Sequence, residues 1–185
     1  CNHRLKYLAS CTWEEVAGSA KQRHERPSRS EAGQGASSMF RGRYEHTIDA
    51  KGRTSLPARY RDVLSSIGER RIILTSALDP CLVAYTSPEW TAFEDRLAKL
   101  PQFDRAVQKL KRIYVSGAVE CDVDDSGRVL IPPTLREYAG LKKDVLWAGN
   151  GKYAELWDAE QWKRHFEATD EEREQIGARL AELGL

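Results

Sequence analysis

The chain has 185 residues, 41% of them hydrophobic and 31% charged, with 29 Lys and Arg against 28 Asp and Glu. Those proportions fit a globular protein of one domain or two small ones, and no apolar run approaches the roughly 20 residues that a membrane-spanning helix needs. A net charge of +1 excludes a globally basic nucleic-acid binder, so any basic surface must be local.

The first 38 residues differ in composition from the rest of the chain. Residues 26–38 hold one proline, two glycines, four serines and no large apolar side chain, a composition that cannot bury enough surface to offset the entropy of ordering it. Residues 1–38 are therefore predicted to be disordered, or weakly helical around Thr12–Gln22. They carry no signal-peptide pattern, because Arg4 and Lys6 interrupt the apolar pieces. Met39 is the only methionine, and Met39-Phe40-Arg41-Gly42 opens a stretch of strand-like alternation. An initiation codon at Met39 would make the preceding residues a translated leader.

From there the chain repeats itself. A shift of 75 residues lays Asp49-Ala50-Lys51-Gly52-Arg53 over Asp124-Asp125-Ser126-Gly127-Arg128, Pro57 over Pro132 and Arg61 over Arg136. The shared pattern predicts a hairpin: alternating strand residues, a three-residue loop ending in glycine, and a second short strand stopped by proline. Gly52 and Gly127 occupy the loop position that favours a left-handed backbone. Asp49 and Arg53, like Asp124 and Arg128, flank their loop where opposite charges pair. After each proline a short helix is predicted, over Ala58–Ser66 and Pro133–Gly140.

A second strand pair comes next in each copy, Arg71–Thr75 with Cys81–Tyr85 and Asp144–Ala148 with Tyr153–Trp157. Trp90, Phe93, Leu97 and Leu100 then fall at helical spacing, and after Pro101 a second helix places Val107, Leu110, Ile113 and Tyr114 on one side. Beyond the second copy, Asp158-Ala159-Glu160-Gln161-Trp162 starts another helix, and an acidic helix is predicted over about Glu171–Leu183. The organisation predicted is a first module over 39–90, linking helices over 91–116, a second module over 117–162 and an acidic helical tail over 163–185.

With Met39-Phe40-Arg41-Gly42 at the start, the doubled Asp-x-x-x-Arg motif and Pro88-Glu89-Trp90 between the copies, the sequence resembles the MraZ family of AbrB/SpoVT-like swapped-hairpin DNA-binding proteins. The resemblance covers essentially all of 39–170. It implies an α+β fold in which the hairpins of two tandem β-rich modules interleave, each module followed by helices. It also implies a cytoplasmic, nucleoid-associated transcription regulator that binds direct repeats in the promoter of the division and cell-wall gene cluster, including its own gene, and a ring-shaped homo-oligomer. Family members of this kind recognise repeated TGGGA-like boxes, and Trp13-Glu14 can be encoded only by TGG followed by GAA or GAG. Such boxes are thus expected within the DNA that encodes the leader.

The charges are distributed to suit DNA. Residues 41–61 hold six cations against Glu45 and Asp49, a balance of +4, whereas residues 155–185 have a balance of −5. Arg53 and Arg128 are the candidates for base contact, because a planar guanidinium can meet guanine O6 and N7 together. Lys51, Arg41 and Arg43 are candidates for phosphate contact. The second loop offers Asp125 and Ser126 in place of a basic side chain, so the two copies are not expected to contribute equally.

Other chemistries find little support. His46 with Asp49, Asp124 and Asp125 suggests a general-base site, but the residue matching His46 in the second copy is Cys121. Cys1, Cys11, Cys81 and Cys121 lack the paired spacing of a zinc site, and so few thiols suit a reducing compartment. Ser126-Gly127 lacks the setting of a nucleophile elbow. Gly149-Asn150-Gly151 precedes no helix that would bind phosphate. No enzyme activity, cofactor, metal, membrane or small-molecule substrate is expected. Trp90, Trp147, Trp157 and Trp162 read as core or subunit interface rather than stacking platforms. The alternative to a DNA regulator is a ring-forming protein-interaction scaffold whose partner surface is the acidic C-terminal helix.

Overall fold

The computed structural model describes residues 39–184. The expectations for residues 1–38, disorder, weak helicity and a translated leader, lie outside the described residues. The α+β class holds, and its organisation stems from how the two copies share strands.

The first copy contributes β1 (Phe40–Thr47), β2 (Arg53–Ser55), α1 (Ala58–Ser66), β3 (Arg71–Ser76) and β4 (Leu82–Tyr85). Two helices come next, α2 (Ser87–Ala98) and α3 (Arg105–Tyr114). The second copy repeats the order with β5 (Val119–Asp122), β6 (Arg128–Leu130), α4 (Pro133–Tyr138), β7 (Asp144–Gly151) and β8 (Tyr153–Asp158). The chain closes with α5 (Ala159–Phe166) and α6 (Asp170–Glu182).

Six strands form one antiparallel sheet in the order β1-β7-β8-β4-β3-β5, while β2 and β6 make a separate two-stranded ribbon. The order is the same read from either edge once equivalent strands are exchanged. Each copy's first strand leaves its own copy: β1 pairs with β7 over eight residues, Phe40 opposite Gly151 to Thr47 opposite Asp144, and β5 pairs with β3. The expected hairpins are consequently only one bridge long, Ile48 opposite Thr54 and Val123 opposite Val129. Beyond that bridge β2 turns to β6, setting Arg53 opposite Leu130 and Ser55 opposite Arg128. This exchange is the interleaving that the family resemblance implies.

Both faces of the sheet are covered. On one, α1, α4 and the ribbon bury Leu56, Tyr60, Val129 and Ile131 against Phe40, Ile72, Leu74 and Trp147. Tyr60 is the hub. Its ring meets Phe40 at 4.9 Å, Tyr44 at 5.4 Å and Trp147 at 6.3 Å, edge to face, contacts each worth about 0.5–1.5 kcal/mol beyond area burial. Its hydroxyl donates to Gly42 O at 2.9 Å. The Trp147 indole N–H donates to Ser55 O at 3.2 Å, so a core side chain of the second copy anchors a ribbon strand of the first.

On the other face Trp90 and Trp157 are buried with Ile73, Val83 and Tyr85. The α3 helix is capped by Asp104, whose carboxylate accepts from the amides of Ala106 and Val107, and its last turn accepts hydroxyl donors from β3, Thr75 to Tyr114 O and Ser76 to Ile113 O. The α2 helix stops at Ala98, so Leu100 falls outside it and is exposed. The reading of Trp90, Trp147 and Trp157 as core holds, but all three are buried within the chain and offer no apolar surface to another subunit. The α6 helix has a capping box at Thr169 and Glu172, and none of its residues is buried.

Candidate nucleic-acid interface

The site is built from the two three-residue loops and the ribbon between them. In the first loop, the Asp49 amide donates to Arg53 O and the Gly52 amide to Asp49 O, both at 2.8 Å. The Asp49 carboxylate divides its work: Oδ1 accepts from the backbone amides of Lys51 at 2.9 Å and Arg53 at 3.0 Å, and Oδ2 from Arg53 Nε at 2.9 Å and Nη2 at 2.7 Å. The second loop repeats this atom for atom. Asp124 Oδ1 accepts from the amides of Ser126 and Arg128 at 2.9 Å, and Oδ2 from Arg128 Nε at 3.1 Å and Nη2 at 3.0 Å.

These bonds favour the ionised carboxylates. Asp49 is held down at about 2, first by the Arg53 amide and then by the Arg53 side chain, and Asp124 is lowered with the Arg128 amide as the largest cause. Each aspartate uses Nε and one side of Nη2. The outer edge of the guanidinium, Nη1 with the remaining Nη2 hydrogen, is left pointing away from the clamp, and that edge has the fork geometry that meets a guanine.

The ribbon register places both arginines on one surface. Side chains alternate along a strand, so Thr54 and Val129, 1% and 0% exposed, face inward. Arg53, Ser55, Arg128 and Leu130 face outward. Arg53 and Arg128 are diagonal neighbours there, about 7–8 Å apart at their base. The loops lie at opposite ends of the ribbon, since the Ile131 amide donates to Gly52 O and the Leu56 amide to Gly127 O, each at 2.9 Å. Four residue steps, Gly52 to Leu56, separate these ends, roughly 13 Å.

Lys51 lies exposed in the first loop. In the second, Asp125 pairs with Arg70 Nη2 at 2.5 Å. Arg41 and Arg43 sit elsewhere. Alternation along β1 turns Gly42 and Tyr44 toward Tyr60 and sends Arg41 and Arg43 to the opposite face, where the Arg43 guanidinium lies 4.2 Å from the Phe166 ring centroid and 5.5 Å from that of Trp162. The structure thus groups Arg53, Arg128 and Lys51 and leaves Arg43 on the α5 side of the sheet. His46 is partly buried, and desolvation followed by the charge of Arg61 lowers its pKa. That keeps it neutral at pH 7, and both site aspartates are committed to arginines.

Four residues at this surface are not singled out by sequence alone. Leu130 and Ser55 are outward only because of a pairing between strands far apart in the chain. Arg61 and Arg136 are visible as repeat equivalents, yet each reaches the loop of the other copy: a Cβ added to Gly52 would lie 2.8 Å from Arg136 Cζ, and one added to Gly127 would lie 2.8 Å from Arg61 Cδ.

Comparison with known proteins agrees with this doubled architecture. The family model described as "MraZ protein, putative antitoxin-like" matches twice, over residues 39–113 and 114–183, two segments that begin 75 residues apart. The chain belongs to the MraZ family. Among its relatives, the Transcriptional regulator MraZ of Thermoanaerobacter pseudethanolicus is 42% identical over 147 residues, 80% of this chain and 100% of that protein. The protein of the same name from Alkaliphilus metalliredigens is 41% identical with the same coverage. That of Thioalkalivibrio sulfidiphilus is 46% identical over 124 residues, 67% of this chain and 83% of the relative. The MraZ family match spans both loops and the ribbon between them.

Proposed function

We propose that this protein is a transcription regulator that reads double-stranded DNA with the outer face of the β2–β6 ribbon. The observation that carries the reading is the pair of Asp-clamped arginines, Arg53 and Arg128, on one outward surface. A two-stranded ribbon fits the major groove, about 12 Å wide, and the two loops at its ends span a similar distance. Within the groove Arg53 and Arg128 meet guanine edges, and the half-exposed Leu130 offers an apolar contact to a thymine methyl. Lys51 neutralises a phosphate beside the first loop. Arg41 lies on the face of β1 turned away from the ribbon and, unlike Lys51, does not reach a phosphate beside it. Arg43 is committed to the Phe166 and Trp162 rings and contributes charge at longer range.

A single ribbon reads few base pairs, so specificity requires several copies in register with repeated sites one helical turn apart. The target, as the family resemblance implies, is a set of direct repeats in the promoter of the division and cell-wall gene cluster, including the chain's own gene, and the protein acts as a closed homo-oligomer at the nucleoid in the cytoplasm. The relatives' name as transcriptional regulators supports the coarser part of this reading. No catalytic step, cofactor or membrane enters it.

The test is a mobility shift on a duplex covering the DNA upstream of Met39, including the codons of residues 1–38, with excess unrelated competitor. Retention of the probe under competitor, weakening as salt rises, is the expected result. Binding no tighter than to competitor favours the interaction-scaffold reading instead.

A further inference from the structure

Neither loop is completed by its own copy. Gly52 and Gly127 are buried with φ of +82° and +73°, and what covers each is an arginine from the other copy. Arg136, in the helix of the second copy, lies against Gly52 of the first, and Arg61, in the helix of the first, lies against Gly127 of the second. Glycine serves two needs at these positions: its backbone takes the left-handed turn, and its missing Cβ lets a planar guanidinium lie on the peptide. Each glycine carbonyl also accepts from the strand that feeds the same opposite helix, Ile131 ahead of Arg136 and Leu56 ahead of Arg61. Arg136 Nε is buried with no hydrogen-bond partner among the described residues. A helix arginine that served only its own helix would turn that donor to solvent; this one is held by packing against the loop.

We infer that Arg61 and Arg136 are positioning residues that act across the two copies, Arg136 setting the first loop and thereby Arg53, and Arg61 setting the second loop and thereby Arg128. The loop is held between two arginine contacts: its own aspartate fixes the reading arginine from inside, and the opposite copy's arginine closes over the glycine from outside. The link from loop geometry to DNA rests on the function proposed above. The link from arginine to loop does not.

The arrangement makes a crosswise prediction that a general structural role does not. In the free protein, followed by hydrogen exchange, Arg136→Met raises exchange in residues 49–53 and leaves 124–128 unchanged, while Arg61→Met does the reverse. Arg136→Lys and Arg61→Lys, which keep the charge and lose the planar group, give the same pattern in a milder form and serve if a methionine variant does not fold. On the upstream duplex, Arg136→Met weakens binding roughly tenfold in the wild-type background and keeps its full effect on top of Arg128→Ala, whereas Arg61→Met adds little to Arg128→Ala, as coupling between neighbours requires. Exchange that rises equally in both loops, or stays unchanged in both, overturns the positioning role. A crosswise exchange pattern in a protein that does not prefer the duplex over competitor supports the positioning role and overturns the DNA reading alone.

Discussion

Arg53 and its aspartate make the sharpest claims at the scale of single residues. A partly exposed ion pair of this kind adds about 0–1 kcal/mol to stability, so two copies of the same clamp are better explained by what they orient. Arg53→Ala is expected to abolish specific binding while leaving the melting temperature within a few degrees of wild type. Arg128→Ala weakens binding less, because the second loop carries Asp125 and its Arg70 partner where the first carries Lys51. Lys51→Ala lowers affinity for all sequences and reduces the salt slope by about 1. A titration of affinity against salt separates these variants. Asp49→Asn is a further discriminating variant: it removes a negative charge yet frees Arg53, so non-specific affinity rises while specific affinity falls in a competition assay.

The pH dependence has a definite sign. A carboxylate whose folded-state pKa lies below the usual 3.8, as for Asp49 at about 2, stabilises the fold above that ordinary value and loses the contribution as pH falls toward 2. Asp124, lowered likewise, behaves in the same direction. His46 runs oppositely to a paired histidine. Its pKa is lowered from 6.5 by burial and Arg61, so protonation below pH 6.5 is taken up more readily by the unfolded chain, and stability declines from that point downward. Denaturation midpoints between about pH 8 and 5 should therefore be flat in His46→Gln and fall below the ordinary histidine pKa of about 6.5 in wild type.

At the scale of elements, local pattern and long-range pairing part company. The loops, the helices after Pro57 and Pro132, and the strand pairs β3–β4 and β7–β8 are legible in the sequence because each depends on near neighbours: a glycine that takes positive φ, a proline at a helix start, alternation on both sides of a short turn. The partners of β1, β2, β5 and β6 are not, since alternation says that a strand has an inward face and nothing about which strand it joins. The same limit misplaces the emphasis on Arg43. Counting charge along 41–61 treats it as part of one basic surface, but the period of two along β1 sends it to the α5 side of the sheet. Tyr60 connects these elements, and it tests the core that supports the ribbon. Tyr60→Phe removes the bond to Gly42 O at about 1 kcal/mol, whereas Tyr60→Ala opens a cavity beneath β1 and costs about 3–5 kcal/mol. Chemical denaturation of the two variants separates the hydroxyl from the ring.

Across the whole molecule, the arrangement puts the ribbon and its loops on one side of the sheet and α2, α3 and α5 on the other. The repeat itself is legible, and it correctly anticipates two equivalent loops. It cannot show that the two copies complete each other, because Arg61 and Arg136 look like ordinary helix residues until the fold brings them to the opposite loops. The proposed assembly would use surfaces other than the buried tryptophans. Phe103, 93% exposed between α2 and α3, and Ile176 and Leu180 of the last helix with Leu183 at its end are among the exposed apolar side chains. Light scattering is expected to give a multiple of the 21.0 kDa chain mass, reduced in Phe103→Ser or Ile176→Glu; a monomer mass for wild type at micromolar concentration refutes the assembly.

Everything proposed for DNA depends on the ribbon's two arginines reading guanine edges in the major groove. Methylation interference on the upstream duplex probes that contact itself, because dimethyl sulfate marks guanine N7 in the major groove and adenine N3 in the minor groove. N7 methylation at a few guanines in each repeat is expected to abolish wild-type binding, Arg53→Ala to lose sensitivity at a subset of them, and N3 methylation to have no effect. Binding that is indifferent to N7 methylation and blocked by N3 methylation would place the protein in the minor groove and rule out this use of the arginines.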